Sequence, residues 1–368
     1  MKQQQVKLGI REYVCIAFLM IGMKGTEDTP SMLFSHVQNA AWMVPLLSGG
    51  LFFIPFFLLL KTLSLFQDKN VFEVIQQLLG KYIAFFVSFI IFIMNSYAIS
   101  LDTRTYTNII RAYYFTTTPR LVLYGILMVV CVYAAKKGIQ RIGSISYILI
   151  FYVALSFFIA FWLSLDDSQF ASIFPIWGPG KLELLKAAPS GLGLWGEFFI
   201  LTSLYSFMTS FKDFRNGTWI AFGCVVIQLS LATMLFIALF DKGLVVIGYP
   251  FHVAIRYISL GEFLPNIETL FFPIWLSAAF IRFAAFLFIN ALIFGHLFKI
   301  KEYQYLIPSL ATIYLLIGMI PETPNDVAQL KEPLRYIAGP TFAAISIILW
   351  LTAWFKGEFK HAKNKNNM

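Results

Sequence analysis

Charged residues stand beside glycines in two apolar segments that lie half a chain apart. The first segment carries Lys24 between Gly22 and Gly25, and the second carries Glu197 directly after Gly196. Glycine allows another backbone or a bound molecule to approach the main chain closely. A charge inside an apolar segment is costly and is usually paired or functional. These residues therefore predict recognition of a small polar or charged solute.

Both segments are interrupted where a membrane helix would be expected to continue. The apolar run that begins at Ile10 reaches Gly22 after about 12 residues, whereas a span needs about 20. Backbone that leaves a helix inside a bilayer survives only where protein or a water-filled cavity supplies hydrogen-bond partners. Interruptions at corresponding places in two halves of a chain are typical of a transporter-like binding site.

The predicted binding site combines the two interruptions with two residues chosen by their depth in other spans. Lys24 could bind a ligand carboxylate, occupy the site without ligand, or replace a coupling cation. Alternatively, Lys24, Glu27 and Asp28 could form a structural ion pair that holds the two half-helices together. Glu197 could bind ligand, couple protons or cap a helix. Arg282 is expected to pair with an acid or carbonyl groups, and Glu268 to anchor an outer network. The predicted substrate-binding residues are Gly22, Met23, Lys24, Gly25, Asn95, Gly193, Trp195, Gly196, Glu197 and Ser277.

Composition excludes an ordinary soluble domain, since 59% of the residues are hydrophobic and 13% are charged, compared with about 25% charged in soluble proteins. The three cysteines are isolated within apolar runs, so no disulfide framework or metal site is predicted. We see no nucleophile–base pair and no phosphate-binding loop. The chain is therefore expected to be a membrane protein without cofactor or catalytic residues.

Hydropathy predicts ten membrane spans, and the basic residues predict their orientation. Most of the 28 Lys and Arg residues fall on the side of the N-terminus, which the positive-inside rule makes cytoplasmic. Both termini are then cytoplasmic, and the net charge of +9 indicates topology rather than a nucleic-acid partner. Arg104, Lys331 and Arg335 are assigned to the outer side. The predicted spans are 10–36, 44–66, 80–103, 120–135, 143–165, 189–210, 216–240, 264–295, 303–320 and 336–355.

Five spans precede residue 166 and five follow it, with an interruption in the first span of each set. Because five is odd, the second set enters the membrane from the opposite side, which predicts an inverted repeat. The chain 1–368 is then a single permease-like domain, with repeat one at 10–165 and repeat two at 189–355. A short interfacial helix is expected between 241 and 262, and a basic cytoplasmic tail at 356–368.

Several local motifs resemble one known family along essentially the whole chain. They are the interrupted first segment followed by Asn39-Ala40-Ala41-Trp42, the triplet Gly196-Glu197-Phe198, the run from Asn266 to Phe271 leading into Trp275, and Pro321-Glu322. This pattern resembles the B subunits of spore-germination nutrient receptors, the GerAB-type permease family of the amino acid–polyamine–organocation superfamily.

The resemblance implies a LeuT-like five-plus-five fold in the inner membrane of the spore, with broken first and sixth helices. It also implies a subunit that senses an amino acid or similar nutrient and signals through an A-type membrane subunit and a C-type lipoprotein. A proton- or cation-coupled amino acid transporter remains the alternative. The departure is at Met23 and Lys24, which separate the two glycines of the first interruption.

Overall fold

The computed structural model describes residues 7–67, 69–257 and 268–360, and this part of the chain is helical throughout, without β-strands. Residues 1–6, 68, 258–267 and 361–368 lie outside it, and with them Asn266, Ile267 and most of the basic tail. The helices of the first half are α1 (Ile10–Gly22), α2 (Thr29–Val37), α3 (Val44–Leu63), α4 (Val71–Leu79), α5 (Lys81–Tyr113), α6 (Arg120–Lys136) and α7 (Ile139–Leu163). Those of the second half are α8 (Lys181–Ala187), α9 (Gly196–Leu201), α10 (Phe211–Phe240), α11 (Pro250–Tyr257), α12 (Glu268–Phe298), α13 (Ile307–Gly318) and α14 (Pro324–Phe355).

Within the described residues, six helical segments are long and apolar enough to cross a membrane. Large apolar side chains on α7 face outward, as lipid-facing residues do: Phe151 is 66% exposed and Phe158 is 63% exposed. The other segments expected to span are shorter or interrupted, so the count of ten remains a prediction. The six segments are Thr29–Leu63, Lys81–Tyr113, Ile139–Leu163, Phe211–Val245, Glu268–Phe298 and Pro324–Phe355.

The first interruption lies between α1 and α2. After Gly22 the chain narrows into a 3₁₀ turn, Met23–Thr26, and Glu27 is extended before α2 begins, with a proline in the first turn of that helix. Gly22 O accepts from Gln228 Nε2 at 3.2 Å, and Met23 O accepts from Thr26 Oγ1 at 2.7 Å. The freed carbonyls thus find side-chain partners inside the protein, as irregular backbone at membrane depth must.

The second interruption surrounds α9. A 3₁₀ turn, Ser190–Leu194, precedes this helix, and a second one, Thr202–Phe207, follows it. Leu194 O accepts from Lys24 Nζ at 2.9 Å, so the first interruption supplies the partner that the second one lacks. The two interruptions therefore lie against each other in the core.

Central helices hold the two interrupted segments in place. Tyr13 on α1 shares a 2.8 Å hydroxyl hydrogen bond with Thr218 on α10. Leu8 N donates to Phe207 O at 2.8 Å, which ties the start of α1 to the end of the second interrupted segment. The helix α12 is also central, because most of its length is buried. These contacts fix the positions from which the charged side chains project.

Three expectations from the sequence need correction. The third predicted span was placed at 80–103, but α5 continues to Tyr113. The tenth was placed at 336–355, but α14 begins at Pro324. Residues 321–335, which were expected to form an outer connection, are therefore largely helical, and Lys331 and Arg335 are not loop residues. The short amphipathic helix α4, which begins with a capping box at Asn70, was not expected. Within the predicted interfacial segment, α11 provides the expected short helix.

Candidate functional site

A cavity lies between the two interruptions, and α5 and α14 form further parts of its wall. It encloses about 100 Å³, enough room for a small solute rather than a large one. Met32, Ile200 and Phe342 give it apolar walls, and Gly193 and Gly196 contribute backbone. The charged side chains at its edge are Lys24, Glu27, Asp102, Glu197, Lys331 and Arg335.

Four acidic and four basic side chains form one connected ion-pair network around this cavity. The acids are Glu27, Asp28, Asp102 and Glu197, and the bases are Lys24, Arg282, Lys331 and Arg335. The formal charges cancel. Because an unpaired buried charge is strongly unfavourable, this balance explains how eight charges are tolerated in an apolar bundle.

Lys24 and Glu197 connect the two interruptions directly. Lys24 Nζ lies 2.9 Å from Glu197 Oε1, and the same ammonium group donates to Leu194 O. Both side chains are largely buried but line the cavity. Glu197 Oε2 is buried without a hydrogen-bond partner among the described residues, so one oxygen of this carboxylate is available to a further donor.

Arg282 is the centre of the network and is completely buried on α12. Its Nη2 lies 2.8 Å from Asp102 Oδ2 and 3.3 Å from Glu197 Oε1, with Glu27 Oε1 farther away at 3.7 Å. Its ring neighbours Phe283 and Phe286 provide aromatic surface beside the guanidinium group. The expected pairing of Arg282 with acidic groups is confirmed.

Two bases on α14 complete the network from the opposite wall. Lys331 Nζ contacts Asp102 Oδ1 at 2.9 Å and Glu27 Oε2 at 3.0 Å. Arg335 Nη2 contacts Asp28 Oδ2 at 2.7 Å. The network therefore joins the first interruption and α5 to α14 through charge-assisted hydrogen bonds, which are stronger than neutral ones.

A second and wider cavity of about 530 Å³ adjoins the first. The two share Met32, Ser190 and Arg335 in their walls, and Asp28 lines only the second. The ion pair between Asp28 and Arg335 thus lies at the boundary between the two spaces.

Five of the predicted substrate-binding residues line the first cavity, namely Lys24, Asn95, Gly193, Gly196 and Glu197. Asn95 Nδ2 donates to Asn290 Oδ1 at 2.6 Å, which fixes the asparagine between α5 and α12. Gly193 and Gly196 permit close packing: a Cβ atom at Gly196 would lie 2.7 Å from the ring of Phe342. A binding role for these five residues remains a prediction.

The structure does not bring the other five to the cavity. Gly22 and Gly25 face Gln228 on α10, so a side chain at Gly25 would press on that helix rather than fill the cavity. Met23 is buried and offers its carbonyl to Thr26. Trp195 is buried and donates from Nε1 to Ser48 Oγ at 2.9 Å. Ser277 bonds to Pro273 O within its own helix.

Asp102, Lys331 and Arg335 also line the cavity, although none of them was predicted as a site residue. The sequence does contain a signal for the two residues on α14. Positions 331, 335, 338 and 342 are spaced by four, three and four residues, so Lys331, Arg335, Ala338 and Phe342 lie on one helical face. All four line the cavity. Glu268 has the partner expected of an outer network, since its Oε2 lies 3.4 Å from Arg256 Nε.

Within the described ranges, no group of three or more His, Cys, Asp or Glu side chains is arranged to hold a metal ion. The acids of the network instead face basic side chains. The arrangement is suited to exchanging internal ion pairs for contacts with a charged solute.

Comparisons with known proteins agree on family and fold. A family model described as "Spore germination protein" matches residues 13–327. Spore germination protein B2 of Bacillus subtilis (strain 168) is 24% identical, over 97% of this chain and 98% of that protein. Spore germination protein KB of the same strain is 21% identical over 96% of each chain, and GerQB of Bacillus cereus is 23% identical over 75% and 80%. Among solved structures, MhsT in complex with L-phenylalanine superposes with a TM-score of 0.67 at 13% identity, covering 92% of this chain and 87% of that one.

Proposed function

Because this chain belongs to the spore germination protein family, we propose that it is the nutrient-binding transmembrane subunit of a spore germination receptor. Its germinant is an amino acid or similar small solute, bound in the cavity between the two interruptions. The output is carried by partner subunits, an A-type membrane subunit and a C-type lipoprotein. The membrane-protein class and LeuT-like fold fit this role.

The observation that carries the proposal is the ion pair between Lys24 and Glu197 at the cavity wall. An amino acid carries one carboxylate and one ammonium group, so it can replace both halves of this pair without changing the net charge. Its carboxylate would face Lys24 and its ammonium group would face Glu197. The fold similarity to MhsT, whose structure holds L-phenylalanine, supports the same class of ligand.

Ligand exchange at this pair has a route to the rest of the protein. Glu197 shares Arg282 with Asp102, and Asp102 in turn pairs with Lys331 on α14. Separating Lys24 from Glu197 would therefore redistribute contacts among α5, α12 and α14. A ligand shifts a conformational equilibrium only as far as its affinities for the two states differ, and these redistributed ion pairs supply such a difference. Partner subunits docked on the moving helices would receive the signal.

Germination of spores that depend on this receptor tests the proposal. The chain is expressed with its A and C partners in a strain that lacks other nutrient receptors, and amino acids are titrated one by one. We expect loss of nutrient-triggered germination on deletion of the chain. We expect Glu197→Gln to raise the required nutrient concentration about 10-fold or more, since a charged hydrogen bond contributes about 1.5–3 kcal/mol. Unchanged germination on deletion would contradict the assignment.

A proton- or cation-coupled amino acid transporter is the second candidate. The two adjacent cavities separated by Asp28 and Arg335 would favour it, because a transported solute needs a route in and out. Uptake of labelled amino acid into proteoliposomes containing only this chain distinguishes the two. Net accumulation without partner subunits would favour transport, and binding without flux would favour sensing.

The same proposal includes the arrangement in the membrane. The chain would have ten spans, repeats at about 10–165 and 189–355 with opposite orientation, and cytoplasmic termini. Its location would be the inner membrane of the spore. Topology reporters fused after Lys186 and after Arg215 test this arrangement. We expect them on opposite sides, with the first outside, and both on one side would exclude the inverted repeat.

A further inference from the structure

Three arginines form a second charged cluster, and this one is not balanced by acids. Arg104 and Arg111 lie on α5, and Arg120 is the first residue of α6. Arg104 is near enough to both Arg111 and Arg120 for their positive charges to repel its own. Among the described residues, no carboxylate lies within 4.0 Å of any of them. The network around the cavity, by contrast, is electrically neutral. The two clusters are close together, because Asp102 of the network and Arg104 of the arginine cluster are two residues apart on α5.

Two of these arginines, Arg111 and Arg120, border a separate pocket of about 290 Å³. Arg111, Arg120 and Asn108 line it. Residues 104, 108 and 111 are spaced by four and three positions, so they share one face of α5. Asn108 is 95% buried, with an exposed fraction of 5%, and its Nδ2 has no hydrogen-bond partner among the described residues. Arg111 Nε is also buried without a partner in that part of the chain. Buried donors are nearly always hydrogen-bonded. The unpartnered nitrogens of Asn108 and Arg111 therefore indicate that a ligand with hydrogen-bond acceptors binds in this pocket.

Helix ends add to the positive potential of this pocket. It adjoins the first residues of α6 and α14, Arg120 and Pro324. The N-terminus of a helix carries a partial positive charge and favours anions. Of the acids close by in sequence, Asp326 is engaged in the cap of α14 with Thr323, and Glu322 makes no ion pair within the described residues.

We propose that this pocket binds an oxyanion of the phosphate type, held by the guanidinium groups of Arg111 and Arg120 and by the side-chain amide of Asn108. Arginine forks match the paired oxygens of such groups. The oxyanion is a free inorganic phosphate or the headgroup of a phospholipid, since both present the same chemistry.

A bound oxyanion would affect the ion-pair network around the first cavity through α14. Arg104 Nη2 donates to Pro321 O at 2.9 Å, and Arg120 Nη1 donates to Glu322 O. The arginines thus already hold the link between α13 and α14. An oxyanion that reduces their mutual repulsion would fix the start of α14, the helix that carries Lys331 and Arg335.

The experiment measures thermal unfolding of the purified full-length chain in neutral detergent. Phosphate is titrated against chloride at constant ionic strength, with the parent, Arg111→Ala, Arg120→Ala and Asn108→Ala compared. The control is Arg215→Ala, which removes an exposed guanidinium group from α10. We expect phosphate to raise the unfolding temperature of the parent and the control. Each of the two arginine variants should weaken the apparent phosphate affinity about 10-fold or more.

A second arm identifies the source of the oxyanion. The same proteins are placed in nanodiscs of phosphatidylcholine, with or without phosphatidylglycerol, and unfolded without free phosphate. Stabilisation by phosphatidylglycerol that is lost in Arg111→Ala assigns the site to a lipid headgroup. Phosphate stabilisation in detergent that is lost in the same variant assigns it to the free ion. If Arg111→Ala, Arg120→Ala and Asn108→Ala all respond like the parent in both arms, or if the parent responds in neither, the proposal is wrong.

Discussion

Removing the charges of Lys24 and Glu197 singly and together should show strong coupling. The two groups are 2.9 Å apart and largely buried. Two unit charges at this separation attract by about 6 kcal/mol at an effective dielectric constant of about 20, and desolvation offsets part of this attraction. We therefore expect a coupling free energy of about 1.5–3 kcal/mol between Lys24→Met and Glu197→Gln, in the upper part of the range for residues in contact.

The single variants should not be equivalent. After Lys24→Met, Glu197 keeps Arg282 at 3.3 Å. After Glu197→Gln, Lys24 has no carboxylate within 4.0 Å among the described residues and retains Leu194 O. Loss of one partner from a buried pair costs about 3–5 kcal/mol when it leaves a charge uncompensated. We expect Glu197→Gln to lower the free energy of unfolding more than Lys24→Met does.

The assay is equilibrium unfolding of the purified chain in mixed detergent micelles. Lys186 and Glu183 provide a matched control pair, with a separation of 2.8 Å but with side chains 61% and 51% exposed. An exposed pair is worth about 0.2–1 kcal/mol. A coupling free energy between Lys24 and Glu197 that is no larger than that of the control pair would contradict a strong buried ion pair.

Three further outcomes are expected. Gly196→Ala should lower the free energy of unfolding by about 1–3 kcal/mol, since its Cβ would lie 2.7 Å from the ring of Phe342; stability equal to the parent in denaturant titrations would contradict this packing. Arg335→Gln should increase the rate at which a membrane-impermeant thiol reagent labels Thr29→Cys in a protein without the native cysteines. The reason is that the ion pair between Arg335 and Asp28 separates the two cavities. An unchanged labelling rate would count against that boundary. Asn95→Ala should shift the nutrient response in germination assays while Ser277→Ala leaves it unchanged, because Asn95 alone of the two lines the cavity. Equal effects of the two substitutions would contradict this assignment of the cavity-lining residues.

Lys24 and Glu197 could be identified from the sequence because each is a charge beside glycine in an otherwise apolar segment. Asp102, Lys331 and Arg335 could not be identified in this way. They lie on α5 and α14, which have 33 and 32 residues and extend well beyond the apolar length that indicates a span. Near these charges the surrounding sequence becomes polar and resembles a connection. Helical periodicity was the remaining signal for the two residues on α14.

Which charges pair with each other could not be predicted from the sequence, for a different reason. Arg282 and Asp102 are 180 residues apart, and Lys24 and Leu194 are 170 apart. Local propensity contains no information about such contacts. The glycines show the same limit: Gly22 and Gly25 were expected at the ligand, yet both face Gln228. The sequence shows where the small residues lie, but it does not show which neighbouring residue packs against them.

A binding titration with the purified chain tests the central claim most directly. An amino acid found to trigger germination is titrated by calorimetry, alongside its amide and its N-acetyl derivative, which each lack one of the two charges. We predict that the free amino acid binds to the parent, that each derivative binds more weakly, and that Lys24→Met and Glu197→Gln each lose about 10-fold or more in affinity. Equal affinity of the parent and both variants for the free amino acid would place the binding site elsewhere.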